Sequence, residues 1–355
     1  MARDEQVQSA IDNWAPRFVS NGVDTNDFQR VTNSIEHWDD WCRKWSECGA
    51  MHEQMGEQAE ANEYYESAGH HYFQAAISYH FGKYLFVRKP QELRIAHEHV
   101  VRDYTRALPY FDFPGERVAI SYEGGGTMYG VLRKPWHTPK PPVVILVPGL
   151  DSVKEELHVY GEDFLRRGMA VLAIDGPGQG EMEFEFPLRH DYEVPIKHAV
   201  DYLEGRSDVD ANRVGMMGVS FGGQFAVRAA AFEPRIKATI ENCGPYDQSE
   251  NFSSRPLISR ETLVHRLKVS NEDEAFNMLK QFNLRGVAEN VTYPLLVIHG
   301  AKDRLVPPAQ GKRIAAEAGA ELWFFEDGNH VCNNIPYKHR PQQADWMREK
   351  LRTNN

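Results

Sequence analysis

Two rhythms of hydrophobic and polar positions divide this chain near residue 110. Before it, apolar positions recur at three- and four-residue spacing. Trp38, Trp41, Cys42 and Trp45 share one helical face, and Asp39, Asp40, Arg43 and Lys44 take the other. Residues 51–68 continue with Glu, Gln and Ala, which favour helix. Tyr72, Phe73, Ala76, Tyr79, His80 and Tyr84 form a second stripe. Aromatic positions at helical spacing predict a packed core more readily than a pocket lining. The pattern does not return at a fixed period, so it is not a repeat array.

After residue 110 the rhythm changes. Residues 117–122 and 127–132 alternate around three consecutive glycines, Gly124 to Gly126, and read as a hairpin. Continuous apolar runs follow at 143–147, 170–174, 214–219, 236–240, 295–298 and 322–325, as in strands buried on both faces. Helical segments at 155–167, 192–203, 224–232, 308–318 and 341–351 separate them. Alternation of this kind predicts an α/β fold, a doubly wound and mostly parallel sheet. The expected division is an N-terminal helical domain at 1–110 and an α/β domain at 111–355. Residues 248–290 interrupt the rhythm and read as two further helices, 259–269 and 272–282.

Ligands of such sheets bind beyond the carboxyl ends of the strands, so the residues just after each strand carry the information. After the third run comes Gly218-Val219-Ser220-Phe221-Gly222, a G-x-S-x-G sequence at a strand-to-helix junction. The sharp turn exposes a serine hydroxyl above the sheet, and the next peptide N–H, that of Phe221, faces the same space. After the first run comes Pro148-Gly149-Leu150-Asp151, where a tight turn presents a second N–H. Leu150 is assigned to it, with Asp151 as the neighbouring alternative. The fifth strand is followed by Asp303 and the sixth by His330, in the order serine, acid, histidine. His330 is the expected base for Ser220, and Asp303 its orienting acid. Asp175, Glu326 and Asp327 are the competing acids, and His299 reads as a packed histidine at a strand end.

Charge and composition narrow the partners. A formal net charge of −11 over 355 residues argues against nucleic acid or an anionic membrane surface. A small-molecule substrate remains. No run approaches the roughly 18 apolar residues of a membrane span. Cys42, Cys48, Cys243 and Cys332 lack metal-site spacing and read as reduced thiols. The opening Met-Ala-Arg-Asp-Glu-Gln lacks an apolar signal core, so a cytoplasmic location is expected. His52, His70, His71, His80, His97 and His99 form no ligand motif and are assigned to polar helical faces, so no metal is expected. Asp175-Gly-Pro-Gly-Gln-Gly180 has the wrong glycine spacing for a dinucleotide, and Pro177 lacks an N–H, so no cofactor is expected. The aromatic helical leader also offers a surface for a homodimer.

Three further stretches carry a resemblance: Gly149-Leu-Asp-Ser-Val-Lys-Glu-Glu156, Asp175-Gly-Pro-Gly-Gln-Gly-Glu181 and Asp327-Gly-Asn-His-Val-Cys-Asn-Asn334. With the leader around Trp38–Trp45 and 75–84, they make the chain similar to the 2,6-dihydroxypseudooxynicotine hydrolase group and the related fungal polyketide-shortening hydrolases. The resemblance spans nearly the whole chain. It implies an α/β-hydrolase fold, the triad Ser220, Asp303 and His330, and a helical N-terminal domain covering the active site. It also implies hydrolysis of a carbon–carbon bond next to a ketone, carboxylester hydrolysis being the alternative. A non-catalytic scaffold that binds a ligand or protein is the alternative of another class. Carbon–carbon cleaving members use a further acid near the substrate, for which Asp247 and Glu250 are the candidates. The insertion at 248–290 is expected to form part of a helical cap that excludes water.

Overall fold

Each apolar run of the second half becomes a strand of one sheet. The computed structural model describes residues 3–352. Its strands are β1 (Gly115–Ser121), β2 (Thr127–Arg133), β3 (Pro142–Val147), β4 (Ala170–Ile174), β5 (Asp210–Val219), β6 (Ile236–Asn242), β7 (Leu295–Gly300) and β8 (Glu321–Phe325). They form an eight-stranded sheet in the order β1-β2-β4-β3-β5-β6-β7-β8. β2 runs antiparallel to β4, and the ladders from β4 through β8 are parallel. The chain steps from β3 outward to β4, then returns past β3 to β5. Right-handed crossovers then place the connecting helices on opposite faces. That reversal is the topological switch point, where α/β sheets open a crevice for ligands.

Twelve helices accompany the strands among the described residues. In the first half lie α1 (Glu5–Ser20), α2 (Thr25–Asn33), α3 (Trp41–Ala61), α4 (Tyr65–Lys83) and α5 (Pro90–Ala107). The sheet carries α6 (His158–Leu165), α7 (Glu193–Glu204), α8 (Phe221–Phe232), α11 (Pro308–Ala318) and α12 (Pro336–Lys350), and the insertion holds α9 (Leu257–Leu267) and α10 (Glu272–Leu279). α6 packs against α12, and α7 against α8. Among the described residues, no helix is long and apolar enough to cross a membrane.

Boundaries differ from the sequence pattern where a local signal misleads. The run at 155–167 enters its helix only at His158, because residues 154–157 turn to bury their charges. α12 starts at Pro336, five residues before the expected start. Pro336 suits a first helical position, and Pro341, which marked the expected start, lies inside the helix.

The chain divides into two compact units. The first comprises residues up to Arg117 together with Pro256–Thr262, and the second holds the rest. Within the first, Arg88 pairs with Glu261 at 2.8 Å, so part of the insertion belongs to the helical unit. α4 is its central helix and is buried almost all round from Tyr72 to Lys83. Its polar residues Gln74, Ser78, His80 and Lys83 disguise that in the sequence. Phe18 sits among Phe28, Trp41, Trp45, Phe81 and Tyr84, stacked on Phe81 at 3.9 Å between centroids. The aromatic stripes are thus core, as their spacing predicts. The histidine assignment is corrected. His52, His80 and His97 are buried, and His52 bonds Asp27 at 2.7 Å and His71 at 3.2 Å.

Because Phe18 touches rings from α2, α3 and α4 and Tyr84 just beyond it, Phe18→Ala is expected to cost about 3–5 kcal/mol. A urea titration followed by tryptophan emission, which samples Trp41 and Trp45, checks this.

Candidate active site

β5 ends in a turn so tight that its middle residue takes a backbone conformation rare for any side chain. Ser220 has φ 55° and ψ −122°, and α8 begins at the next residue. Such geometry costs on the order of 1–3 kcal/mol and persists only where the surroundings impose it. Here the Ser220 N–H donates to the Asn242 carbonyl at 2.8 Å. A side chain on Gly218 would overlap the Gly222 carbonyl, and one on Gly222 would meet the carbonyls of Val147 and Pro148. The flanking glycines therefore answer to close approach. Phe221 opens α8, so its N–H is one of the donors without an intrahelical acceptor. Gly149 brings the turn after β3 against the elbow. A Cβ there would lie 3.3 Å from Ser220 Cβ.

His330 follows β8 in a turn whose next two residues, Val331 and Cys332, both have positive φ, 59° and 51°. A β-branched residue seldom tolerates that region. The turn is held by Asn329 and Asn334, each bonding the other's backbone N–H, at 2.8 and 3.2 Å. So placed, His330 Nε2 lies 2.9 Å from Ser220 Oγ and its Nδ1 lies 2.8 Å from Asp303 Oδ2. Asp303 is buried, and its Oδ1 accepts the N–H groups of Leu305 and Val306 at 2.9 and 2.8 Å. Burial pushes its carboxyl up, but His330, His299 and the Val306 N–H outweigh that and leave it below the ordinary value. An acceptor-only Asp303 requires Nδ1 to carry hydrogen, which leaves Nε2 free to accept the serine proton. His299 packs at the strand end, Nε2 3.2 Å from the Val306 carbonyl, and burial lowers its pKa.

The competing acids are engaged elsewhere. Glu326 is exposed, and Asp327 pairs with Lys338 at 2.5 Å. Asp175 lies in a buried cluster that the sequence reading missed. Lys154 Nζ is within 2.7–2.8 Å of Glu155, Asp175 and Glu181, and the Lys154 N–H donates to Asp175 at 2.8 Å. Burial opposes the ammonium, yet the three carboxylates hold its pKa above the ordinary value. Burial also lifts the Glu155 carboxyl, against the pull of Lys154, to about 7. A lysine flanked by acids in the loop after β3, Lys154-Glu155-Glu156, is the available signal, but the helical reading of 155–167 hides it. Among the described residues ligand-type atoms gather in four groups: here; at Asp27, Cys48 and His52; at Glu53, His99 and Asp103; and at Cys243, His299 and Asp303. In the first three a side-chain cation, Lys154, Arg30 or Arg102, already pairs with the acids, and in the last Asp303 pairs with His330.

Neither candidate for the further acid, Asp247 or Glu250, is a free buried carboxyl. Asp247 is buried, but it binds Arg285 at 2.7 Å and both the N–H and hydroxyl of Ser249. Glu250 is exposed, 3.8 Å from Arg285 and 3.6 Å from Arg313. Asp247 also forms an isolated antiparallel bridge with Asn283. All four cysteines are free and buried.

An eight-stranded, mostly parallel sheet with a serine elbow at its switch point defines an α/β-hydrolase. Residues 20–283 match the FrsA-like esterase family. The 2,6-dihydropseudooxynicotine hydrolase of Paenarthrobacter nicotinovorans is 29% identical over 344 residues, covering 96% of this chain and 92% of that protein. Alpha/beta hydrolase pydG of Acremonium sp is 33% identical over 236 residues, 62% of this chain but only 55% of the fungal protein. The crystal structure of the 2,6-dihydroxy-pseudo-oxynicotine hydrolase superposes with a TM-score of 0.87 at 28% identity, over 96% of both chains. The chain belongs to the FrsA-like esterase family and is a hydrolase of the α/β-hydrolase fold.

Lys154→Met would leave three buried carboxylates without their cation and cost about 3–5 kcal/mol. Without the pull of Lys154, the Glu155 carboxyl, already lifted by burial to about 7, rises further above its unfolded value. Stability is then lost as pH climbs from the unfolded toward the folded values. Thermal melts should show a larger deficit at pH 8 than at pH 5.

Proposed function

We propose that this hydrolase uses Ser220 as nucleophile, His330 as general base and acid, and Asp303 as the residue that orients His330. The observation that carries this reading is the unbroken hydrogen-bonded line from Ser220 Oγ through both ring nitrogens of His330 to Asp303. The Leu150 and Phe221 N–H groups are the proposed oxyanion donors. Among the described residues, neither donates a backbone hydrogen bond outside the regular helices and strands. Ser220 Oγ attacks a carbonyl carbon while His330 Nε2 takes its proton. The tetrahedral oxyanion forms where two fixed N–H dipoles stabilise its charge. Collapse breaks the bond to the leaving group, His330 returns the proton, and water drawn by His330 then frees the acyl group from Ser220.

The substrate class proposed is a small aromatic or polyketide-like molecule with a carbon–carbon bond beta to a ketone. Support comes from the sequence resemblance and from the relative named for 2,6-dihydropseudooxynicotine. The leaving group would then be a carbanion, delocalised into a carbonyl or phenolic ring and protonated on carbon. Asp247 and Glu250 are both kept as candidate acids for that step: Asp247 is engaged by Arg285 and Ser249, and Glu250 is exposed beside Arg285 and Arg313. Carboxylester hydrolysis is the second reading, supported by the esterase family the chain belongs to.

Ser220→Ala should abolish labelling by a fluorophosphonate probe. Asp303→Asn, which destroys the tautomer preference, should lower kcat by about 10³–10⁴-fold. A kcat for Asp303→Asn near wild type excludes the assigned role. If either candidate acid serves that step, its amide variant, Asp247→Asn or Glu250→Gln, should impair cleavage of an aryl β-diketone and spare a p-nitrophenyl ester. Efficient ester turnover by the wild type without any diketone cleavage would leave the esterase reading.

A further inference from the structure

The loop Asp175-Gly-Pro-Gly-Gln-Gly180 follows β4, and no step of the reaction uses it. At its centre Gln179 is fully buried, with every hydrogen-bonding site of its amide occupied. Nε2 donates to the Pro148 carbonyl at 2.6 Å and to the Gly149 carbonyl at 3.0 Å. Oε1 accepts the Gly176 N–H at 3.3 Å and the Tyr192 hydroxyl at 2.5 Å. Gly176 N–H is only a donor and the two carbonyls are only acceptors, so the amide has one permitted orientation.

Those two carbonyls belong to the turn that carries Leu150. No peptide bond here is cis. In a trans peptide the C=O and the following N–H point opposite ways. A Gly149 carbonyl tied to Gln179 therefore turns the Leu150 N–H away from Gln179, in the turn that Gly149 presses against Ser220. The second anchor reaches the other donor. Tyr192 stacks on Phe225 at 4.0 Å, within the helix that Phe221 opens, and Phe225 meets Phe221 edge-on. We infer that Gln179 is a positioning residue for the oxyanion site, aiming the Leu150 N–H through the carbonyls of Pro148 and Gly149. The inference rests on the serine-hydrolase reading.

Gln179→Leu keeps the bulk and removes both donors. With p-nitrophenyl acetate as probe, kcat should fall about 100-fold, since misaimed groups cost that much, with KM little changed. Inhibition by an aryl trifluoromethyl ketone, which forms a tetrahedral adduct with a serine, should weaken in proportion to kcat/KM. Gln179→Glu gives the pH signature. A protonated carboxyl restores one of the two donated bonds, whereas the ionised form repels both carbonyls. Its kcat should therefore fall with rising pH through a titration that the wild type lacks. A wild-type kcat in either folded variant overturns the inference. So does failure of both variants to fold, which would make Gln179 a stability element instead. Ser220→Ala run in parallel separates the two levels: if it retains turnover, the serine reading itself falls.

Discussion

The geometry of the site depends on one strained residue. Ser220 is held at positive φ by a hydrogen bond to the end of β6 and by close approach of the β3 carbonyls to Gly222. The strain is local, but what sustains it is the parallel sheet. β5 lies between β3 and β6, with Val147 opposite Gly218 and Val219 opposite Asn242. Loosening either ladder would let the turn relax toward an ordinary loop and withdraw the hydroxyl. Pre-organisation of this kind is supplied by folding free energy spread over the whole sheet.

Charge burial around the sheet's carboxyl end follows a single rule, that a buried ion needs a partner and filled hydrogen-bonding sites. Asp303 meets it with His330 and two backbone N–H groups. Lys154 meets it with three carboxylates, one of which burial pushes toward neutrality. Glu241, beneath the elbow beside Gly223, is different. Burial lifts its carboxyl well above the ordinary range, and its bond to the Gly244 N–H opposes that only in part. Asp303, an orienting acid held ionised, and Glu241, a structural acid held toward its neutral form, thus differ because environment sets pKa.

The helical unit solves a different problem. Its interior is aromatic, and large rings leave gaps that only close helix contact removes. Gly49 and Gly56 of α3 lie directly under Tyr79 and Tyr72 of α4, where any side chain would overlap the rings. The Tyr72 hydroxyl then reaches Glu60 at 2.7 Å while Arg106 lies 4.0 Å above its ring. Rings packed this way confer shape, and the polar rim fixes their register.

What the sequence by itself determined is everything local in origin. Strand and helix periods, the glycines flanking Ser220, and the order of Ser220, Asp303 and His330 were all readable. Each depends on residues within a few positions of one another or on a chain order the sheet enforces. Tertiary structure alone decided where polar residues end up. It placed Asp303 rather than Asp175 beside His330, buried Lys154 with its acids, and drew His52, His80 and His97 inside. It also committed Asp247 to Arg285 while leaving Glu250 exposed, and gave Gln179 its four partners. The physical reason is common to all of these. A polar side chain is tolerated in the interior only when partners distant in sequence arrive to satisfy it, and no local pattern records which partners those are.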